Sequence, residues 1–262
     1  MRRHSGSGPR RHPSDGGYPR GEETRARIVA TALRVFGEQG YLQASTRRIA
    51  ADAGVNPPAL QYYFGSKEGL HRACAQHIID RVSAILSPAL SEARSVLREG
   101  RRRGASAALC GLLDAMADGL LAAGAESWSR FIARGKVDGA GPATEMLRER
   151  IGKPLMGTAS ELIAVATQRP VADEVTRLRA CAILGQVSTF YANRENTLAA
   201  MNWSQLDARR LRLIKAVVRE HTRAALRARV RTPSQPLPKT PSRPRVRIEP
   251  AAGRALLRPS DL

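Results

Sequence analysis

The side chains best equipped for chemistry lie close together, between Thr46 and His77. Arg47, Arg48, Gln61 and Lys67 are hydrogen-bond donors, three of them cationic, which suits a polyanion better than a reacting carbonyl. Gln61 brings an amide, the group that pairs bidentately with adenine. Lys67 stands next to Ser66 at the start of a helical run, where the unpaired amides of a first turn also favour anions. His71, Cys74 and His77 are metal ligands by type. At about 100° per residue they spread over roughly 120° of a helix, too wide for one tetrahedral site without outside ligands, so no metal is expected. Elsewhere there is no Gly-rich phosphate loop, no GxSxG, no HExxH and no cysteine–histidine zinc spacing. Neither an enzyme nor a cofactor is expected.

The elements that must position these donors can be read locally. Ile49, Ala50, Ala53, Val55, Leu60 and Phe64 are the apolar positions of TRRIAADAGVNPPALQYYFGSKEGL. Ala50 and Ala53, one turn apart, are small enough for a second helix to pack closely. Gly54 sits where a left-handed residue stops a helix. Val55 is expected buried in the turn, and Asn56 is a good N-cap. Pro57 then occupies the first helical position, where its missing N–H costs nothing. Helix, glycine turn and capped helix make a helix-turn-helix, whose second helix reads the DNA major groove. Ahead of it, Ile28, Val29, Ala32, Leu33 and Phe36 form one apolar face of a helix over about Glu22 to Gln39, closed by Gly40. Thr46 is expected to cap the helix that follows.

The string Ala53-Gly54-Val55, Leu60 and Tyr62-Tyr63-Phe64-Gly65-Ser66-Lys67 resembles the DNA-binding domain of the TetR family of bacterial transcriptional regulators, over about Arg27 to Leu70. The resemblance implies a recognition helix at Asn56–Tyr63 and a DNA-binding set of Thr46, Arg47, Arg48, Asn56, Pro57, Pro58, Gln61, Tyr62, Tyr63 and Lys67. In it Thr46 donates to a phosphate, Tyr62, Tyr63 and Lys67 grip the backbone, and Arg47 and Arg48 reach phosphate or base. Many relatives carry polar or glycine residues in place of Pro57 and Pro58, and a tyrosine in place of Gln61. Gln61 is therefore the candidate for direct base reading.

With 262 residues the chain can bury a substantial core. Its cysteines, Cys74, Cys110 and Cys181, are three and far apart, which fits a reducing cytoplasm better than a disulfide framework. No uninterrupted apolar run suggests a membrane span. Net charge is +20, a balance that favours polyanionic partners. Residues 1–20 hold five arginines and one acid, and residues 228–262 hold eight Lys or Arg and two acids. Both flanks are Pro-, Ser- or Arg-rich with few apolar side chains, and are expected to be a disordered basic arm (1–20) and tail (230–262).

Between them the pattern is helical throughout. A long helix from Ser66 is expected to end or kink at Pro88, followed by a short helix over 89–104 ending in a linker with Arg101-Arg102-Arg103. Residues 105–123 read as a buried helix, 126–134 as another, 135–142 as a loop, and Met146 to Val165 as a long helix bent near Pro154. Two further helices are expected at 173–196 and 204–229. Arg148-Glu149-Arg150-Ile151, Pro154-Leu155, Leu184-Gly185-Gln186-Val187 and Met201-Asn202-Trp203 resemble the CecR-like regulators of the TetR family, with Gly135-Lys136 a departure. The family builds a ligand pocket and a dimer interface in this half. Trp128, Phe131, Arg134, Gln186, Phe190 and Tyr191 are the candidate ligand-binding residues, and the last two helices the candidate interface.

The expected molecule is all-α, with a three-helix DNA-binding domain (21–70) and a helical ligand-binding and dimerisation domain (71–229). Its expected function is that of a cytoplasmic homodimeric repressor, responding to a small-molecule effector and binding a palindromic double-stranded DNA operator, with no membrane partner. A non-specific basic DNA-binding protein is the alternative.

Overall fold

The computed structural model describes residues 19–138 and 141–229, so the expected arm up to residue 18 and the tail from 230 lie outside the described residues. Among these, every regular element is a helix. The chain opens with α1 (Pro19–Gln43), whose regular turns end at Gly40. Ile28, Val29, Ala32, Leu33 and Phe36 are all buried, so the predicted face is the one that packs. Next come α2 (Thr46–Asp52) and α3 (Pro57–Phe64). Ser45, not Thr46, caps α2: its extended backbone lets Oγ accept from the Arg48 amide, and Thr46 becomes the first helical residue. Gly54 adopts φ 65°, a left-handed conformation that costs glycine nothing. Asn56 Oδ1 accepts from the Ala59 amide at 3.0 Å, fixing the start of α3. Val55 is half-buried rather than buried.

Ser66 caps α4 (Lys67–Glu99) by accepting from the Gly69 amide at 3.0 Å. This helix does not stop at Pro88. Pro88 lies on the exposed face, where a missing backbone hydrogen bond can be made up by water. The apolar stripe continues through Leu86, Ala93 and Val96, absorbing the expected short helix of residues 89–104. α5 (Arg102–Leu121) begins inside the arginine run, so Arg102 and Arg103 are helical rather than part of the expected linker. Arg102 is anchored there, its Nε donating to the Ala166 carbonyl at 3.2 Å. By length and composition α5 could cross a membrane, but most of it is covered by other helices, as befits the central core helix.

α6 (Glu126–Asp138) extends through Gly135 and Lys136, where a loop is expected from the sequence. α7 (Pro142–Leu147) then leads into one π-helical turn, Arg148–Gly152, and α8 (Lys153–Thr167). The expected bend near Pro154 takes this form. Pro154 cannot donate to the carbonyl four residues back and would clash with it, and the Lys153 amide instead reaches the carbonyl of Arg148, five residues back. Asp173 caps α9 (Glu174–Ala192), and a separate short helix, α10 (Arg194–Ala200), replaces the expected continuation to 196. α11 (Ala208–Arg227) starts four residues later than expected, because Asp207 caps it through the Arg210 amide at 2.8 Å. One apolar cluster runs from Ile28 in α1 to Val218 in α11.

The sequence pattern puts Val175, Leu178, Ala182, Gly185 and Thr189 on one side of α9, but of these only Val175 is buried. Leu178 is 61% exposed, and a Cβ on Gly185 would meet nothing within 4 Å. The buried face is Val175, Ala180, Ile183, Leu184, Val187 and Tyr191.

Candidate functional site

Two concave regions bear on function. The first is a shallow groove lined by Ser45, Thr46, Arg47, Pro57, Leu60, Gln61, Ser66 and Lys67. It gathers five of the ten expected DNA-binding residues at the starts of α2, α3 and α4. The first amides of a helix have no intrahelical acceptor, so the starts of α2 and α4 offer N–H groups to an anion, whereas α3 opens on two prolines and its Ala59 amide is taken by Asn56. Pro57 and Pro58 donate nothing, but leave Gln61 exposed one turn on. Tyr62, 84% exposed, stands outside the groove with its ring centre 5.2 Å from that of half-buried Tyr63. Arg48 also lies outside and reaches Asp52 at 3.7 Å, a carboxylate already held by Arg34 at 2.7 Å. Asn56 acts as a cap, its oxygen occupied by the α3 backbone.

Lys67 is more constrained than a solvent-exposed lysine. Its Nζ donates to the Leu42 carbonyl at 3.0 Å and lies 5.1 Å from the centre of the Tyr41 ring. Partial burial lowers its pKa from the ordinary lysine value.

The second region is a cavity of about 390 Å³. Its wall is mainly apolar, with Phe36, Leu86, Met116, Leu155 and Met156 among the lining side chains. Of the expected ligand-binding residues, Phe131, Arg134 and Tyr191 line it; Trp128, Gln186 and Phe190 do not. Trp128 is turned away, its indole N–H donating to the Gly119 carbonyl at 2.9 Å. Sequence reasoning missed Tyr41, His71, Lys136, Arg148 and the π turn residues Ile151 and Gly152. The aromatic residue after Gly40 and the histidine one turn beyond Lys67 are visible in the sequence, but nothing in their spacing puts them on one wall.

His71 is buried among Phe36, Tyr41 and Phe131, with ring centres 4.8, 4.5 and 4.9 Å away. Burial, and then the charge of Lys67, depress its pKa to about 4, so the imidazole is neutral at pH 7. Its Nδ1 is buried with no hydrogen-bond partner among the described residues. Gly141, at φ 119°, passes so close that a Cβ there would stand 2.8 Å from His71 Cε1. Cys74 is fully buried, which pushes its thiol pKa up and makes it inert. Among the described residues no three His, Cys, Asp or Glu side chains are grouped to hold a metal.

A capped helix-turn-helix with an exposed polar edge, joined to a helical body enclosing a cavity, defines a DNA-binding transcription regulator. Residues 28–74 match the family model described as bacterial regulatory proteins of the tetR family, and residues 105–229 match that of the C-terminal domain of the HTH-type transcriptional dual regulator CecR. The chain is 31% identical over 204 residues to the dual regulator CecR of Shigella flexneri, covering 77% of this chain and 91% of that one. The regulator BetI of Brucella canis is 31% identical over 71 residues, covering 27% of this chain and 36% of its own. The chain belongs to the TetR family, in its CecR-like branch. The fold is similar to that of AibR in complex with isovaleryl coenzyme A and operator DNA, with a TM-score of 0.55, 19% identity and coverage of 76% of this chain and 97% of that one. It is also similar to that of the regulator FadR from Bacillus subtilis in complex with stearoyl-CoA, at 0.51, 17%, 75% and 96%.

Proposed function

We propose that the protein is a cytoplasmic, homodimeric transcriptional repressor that binds a palindromic operator and releases it when a small apolar molecule enters the cavity. Residues 21–70 serve as the reading head and 71–229 as the effector and dimerisation part. Thr46, Arg47, Tyr62, Tyr63 and Lys67 hold phosphates, and Gln61 reads a base edge. One observation carries the reading. The helix that begins at Lys67, in the phosphate groove, contributes His71, Val82 and Leu86 to the cavity wall. A ligand that displaces this helix necessarily moves the groove.

The exposed side of α9, with Leu178 and the open Gly185, together with exposed Leu213 and Val217 of α11, supports a self-complementary contact between two copies. Two recognition helices related by a two-fold axis engage half-sites about one helical turn apart, roughly 34–36 Å, or at a related spacing. Gly185→Leu should give a folded monomer, because within one chain nothing stands near the new side chain, and operator affinity should collapse. A Gly185→Leu chain that remains dimeric would remove this face as the interface.

The functional test uses DNA fragments selected by the full-length protein. Affinity for them should exceed that for unrelated DNA at the same salt, and an effector must lower DNA affinity by the same factor as DNA lowers effector affinity. Equal affinity for all DNA would favour the non-specific alternative, which the charge of the two flanks supports. Deleting residues 1–20 and 231–262 separates the two. Every phosphate that the flanks no longer neutralise flattens the logarithmic salt slope by about 0.9, while operator selectivity should remain.

A further inference from the structure

We propose that the cavity selects an apolar molecule bearing an anionic group, a carboxylate above all, and that Lys136 is the residue that makes the selection. This rests on the cavity being the effector site.

Three cationic side chains line the cavity. Arg134 is matched by Asp138, 3.1 Å away on the next turn of α6. Arg148 is matched by Glu145, with Nε to Oε2 at 2.9 Å, and by Glu149 at 2.7 Å. Glu149 is shared with Lys153 at 2.6 Å. Lys136 meets no carboxylate among the described residues. Its Nζ donates to the Tyr191 hydroxyl, a neutral acceptor, and lies 5.1 Å from the centre of that ring. With Lys153 included, four cations thus face three carboxylates, and the unmatched charge is the one held at the wall by Tyr191. A lysine paired only with a phenol still has two N–H donors to give. A ligand carboxylate would meet it in a charge-assisted hydrogen bond, the strongest kind that an apolar wall can offer.

The rest of the wall agrees with this polarity. His71, neutral at pH 7, adds no charge of either sign to the wall. Asp138 is engaged by Arg134 and is not available to a ligand amine. A volume of about 390 Å³ equals roughly a dozen waters at about 30 Å³ each. A larger ligand must leave part of itself outside, past exposed Lys136 at the rim.

Calorimetric titration of the full-length protein with decanoate, decanol and decylamine, at pH 7 and constant salt, tests the proposal. Decanoate is expected to bind saturably, one per chain, about tenfold more tightly than decanol, with decylamine weakest. Lys136→Met should abolish the difference between acid and alcohol, and Lys136→Arg should retain it. Lys136 is exposed, so both variants keep the fold. Met116→Trp, which fills the cavity, should block decanoate and so separate cavity binding from adsorption on a basic surface; Ser188→Phe, at a half-buried wall position, is the second block if the first misfolds. Decanol binding as tightly as decanoate, or an acid preference that survives in Lys136→Met, overturns the proposal. Equal binding of all three probes, blocked by either cavity-filling variant, leaves the effector reading intact and discards the anion. Absence of saturable binding by all three overturns the effector reading and this one with it.

Discussion

The groove at the helix starts and the cavity are built in opposite ways. The groove comes from residues close in sequence, between Ser45 and Lys67, on helices held by side-chain caps at Ser45, Asn56 and Ser66. The cavity takes its wall from positions as distant as Phe36 and Tyr191, with a π turn in between. A site made of local structure exposes its functional groups and asks little of the core. A site made at the meeting of several helices puts its polar groups where burial changes their chemistry. The groove is therefore tuned through exposed donors, and the cavity through groups such as His71.

The largest effect expected from this contrast is a pH response confined to the cavity. Unfolded, His71 takes up a proton near pH 6.5; folded, only near pH 4. Between those values the unfolded chain holds more protons, so stability is level above pH 6.5 and falls as the pH drops towards 4. The loss attributable to His71 should be about 2 kcal/mol once solvent screening is allowed for. His71→Leu should flatten the urea-unfolding midpoint over that window. An unchanged pH slope in this variant would show that the acid sensitivity lies elsewhere.

Next in size is Lys67→Met, expected to weaken binding to operator and random DNA alike by about tenfold and to reduce the salt slope by about 0.9, with no change in base preference. A shift in sequence preference would mean that Lys67 reads rather than positions. Asn56→Ala should cost about 1 kcal/mol of stability by uncapping α3, measured by thermal unfolding, and leave cavity titrations untouched.

The smallest effect falls where the two regions meet. The Tyr41 ring lies between His71, 4.5 Å away, and the Lys67 ammonium, 5.1 Å away. Tyr41→Leu removes a cation–π interaction of about 0.5–1 kcal/mol, so ligand-free DNA affinity should fall only a few-fold, while the factor by which ligand and DNA oppose each other should shrink towards one. A coupling factor unchanged in Tyr41→Leu would place the connection along α4 alone.

The same contrast explains what can be read from the sequence. Gly54, Asn56, Pro57 and Ser66 announce helix ends through backbone chemistry that acts over a few residues, and those ends fall where they are expected. Thr46 and Ser45 are both adequate caps by type, and only the backbone decides between them. Pro88 and Gly135 mislead because a proline on a wet helix face and a glycine within a packed helix break nothing. Three of the six expected ligand-binding residues, Phe131, Arg134 and Tyr191, line the cavity. Trp128 has the size and polarity of a pocket residue, but the acceptor for its N–H belongs to α5 and turns the ring away. Lys136 follows a glycine that reads as the start of a loop, and its partner Tyr191 lies on another helix that no spacing rule connects to it.

Position 141 lies off the cavity wall but directly behind one of its side chains, His71. Any side chain there faces two obstacles, a backbone at φ 119° and the edge of the His71 ring 2.8 Å from its first carbon. An alanine would force either the backbone at 141 or the imidazole, which lines the cavity, to shift. A single methyl group at a position outside the wall is therefore expected to change the space inside it, and an engineer seeking to reshape the cavity without altering its lining would start there.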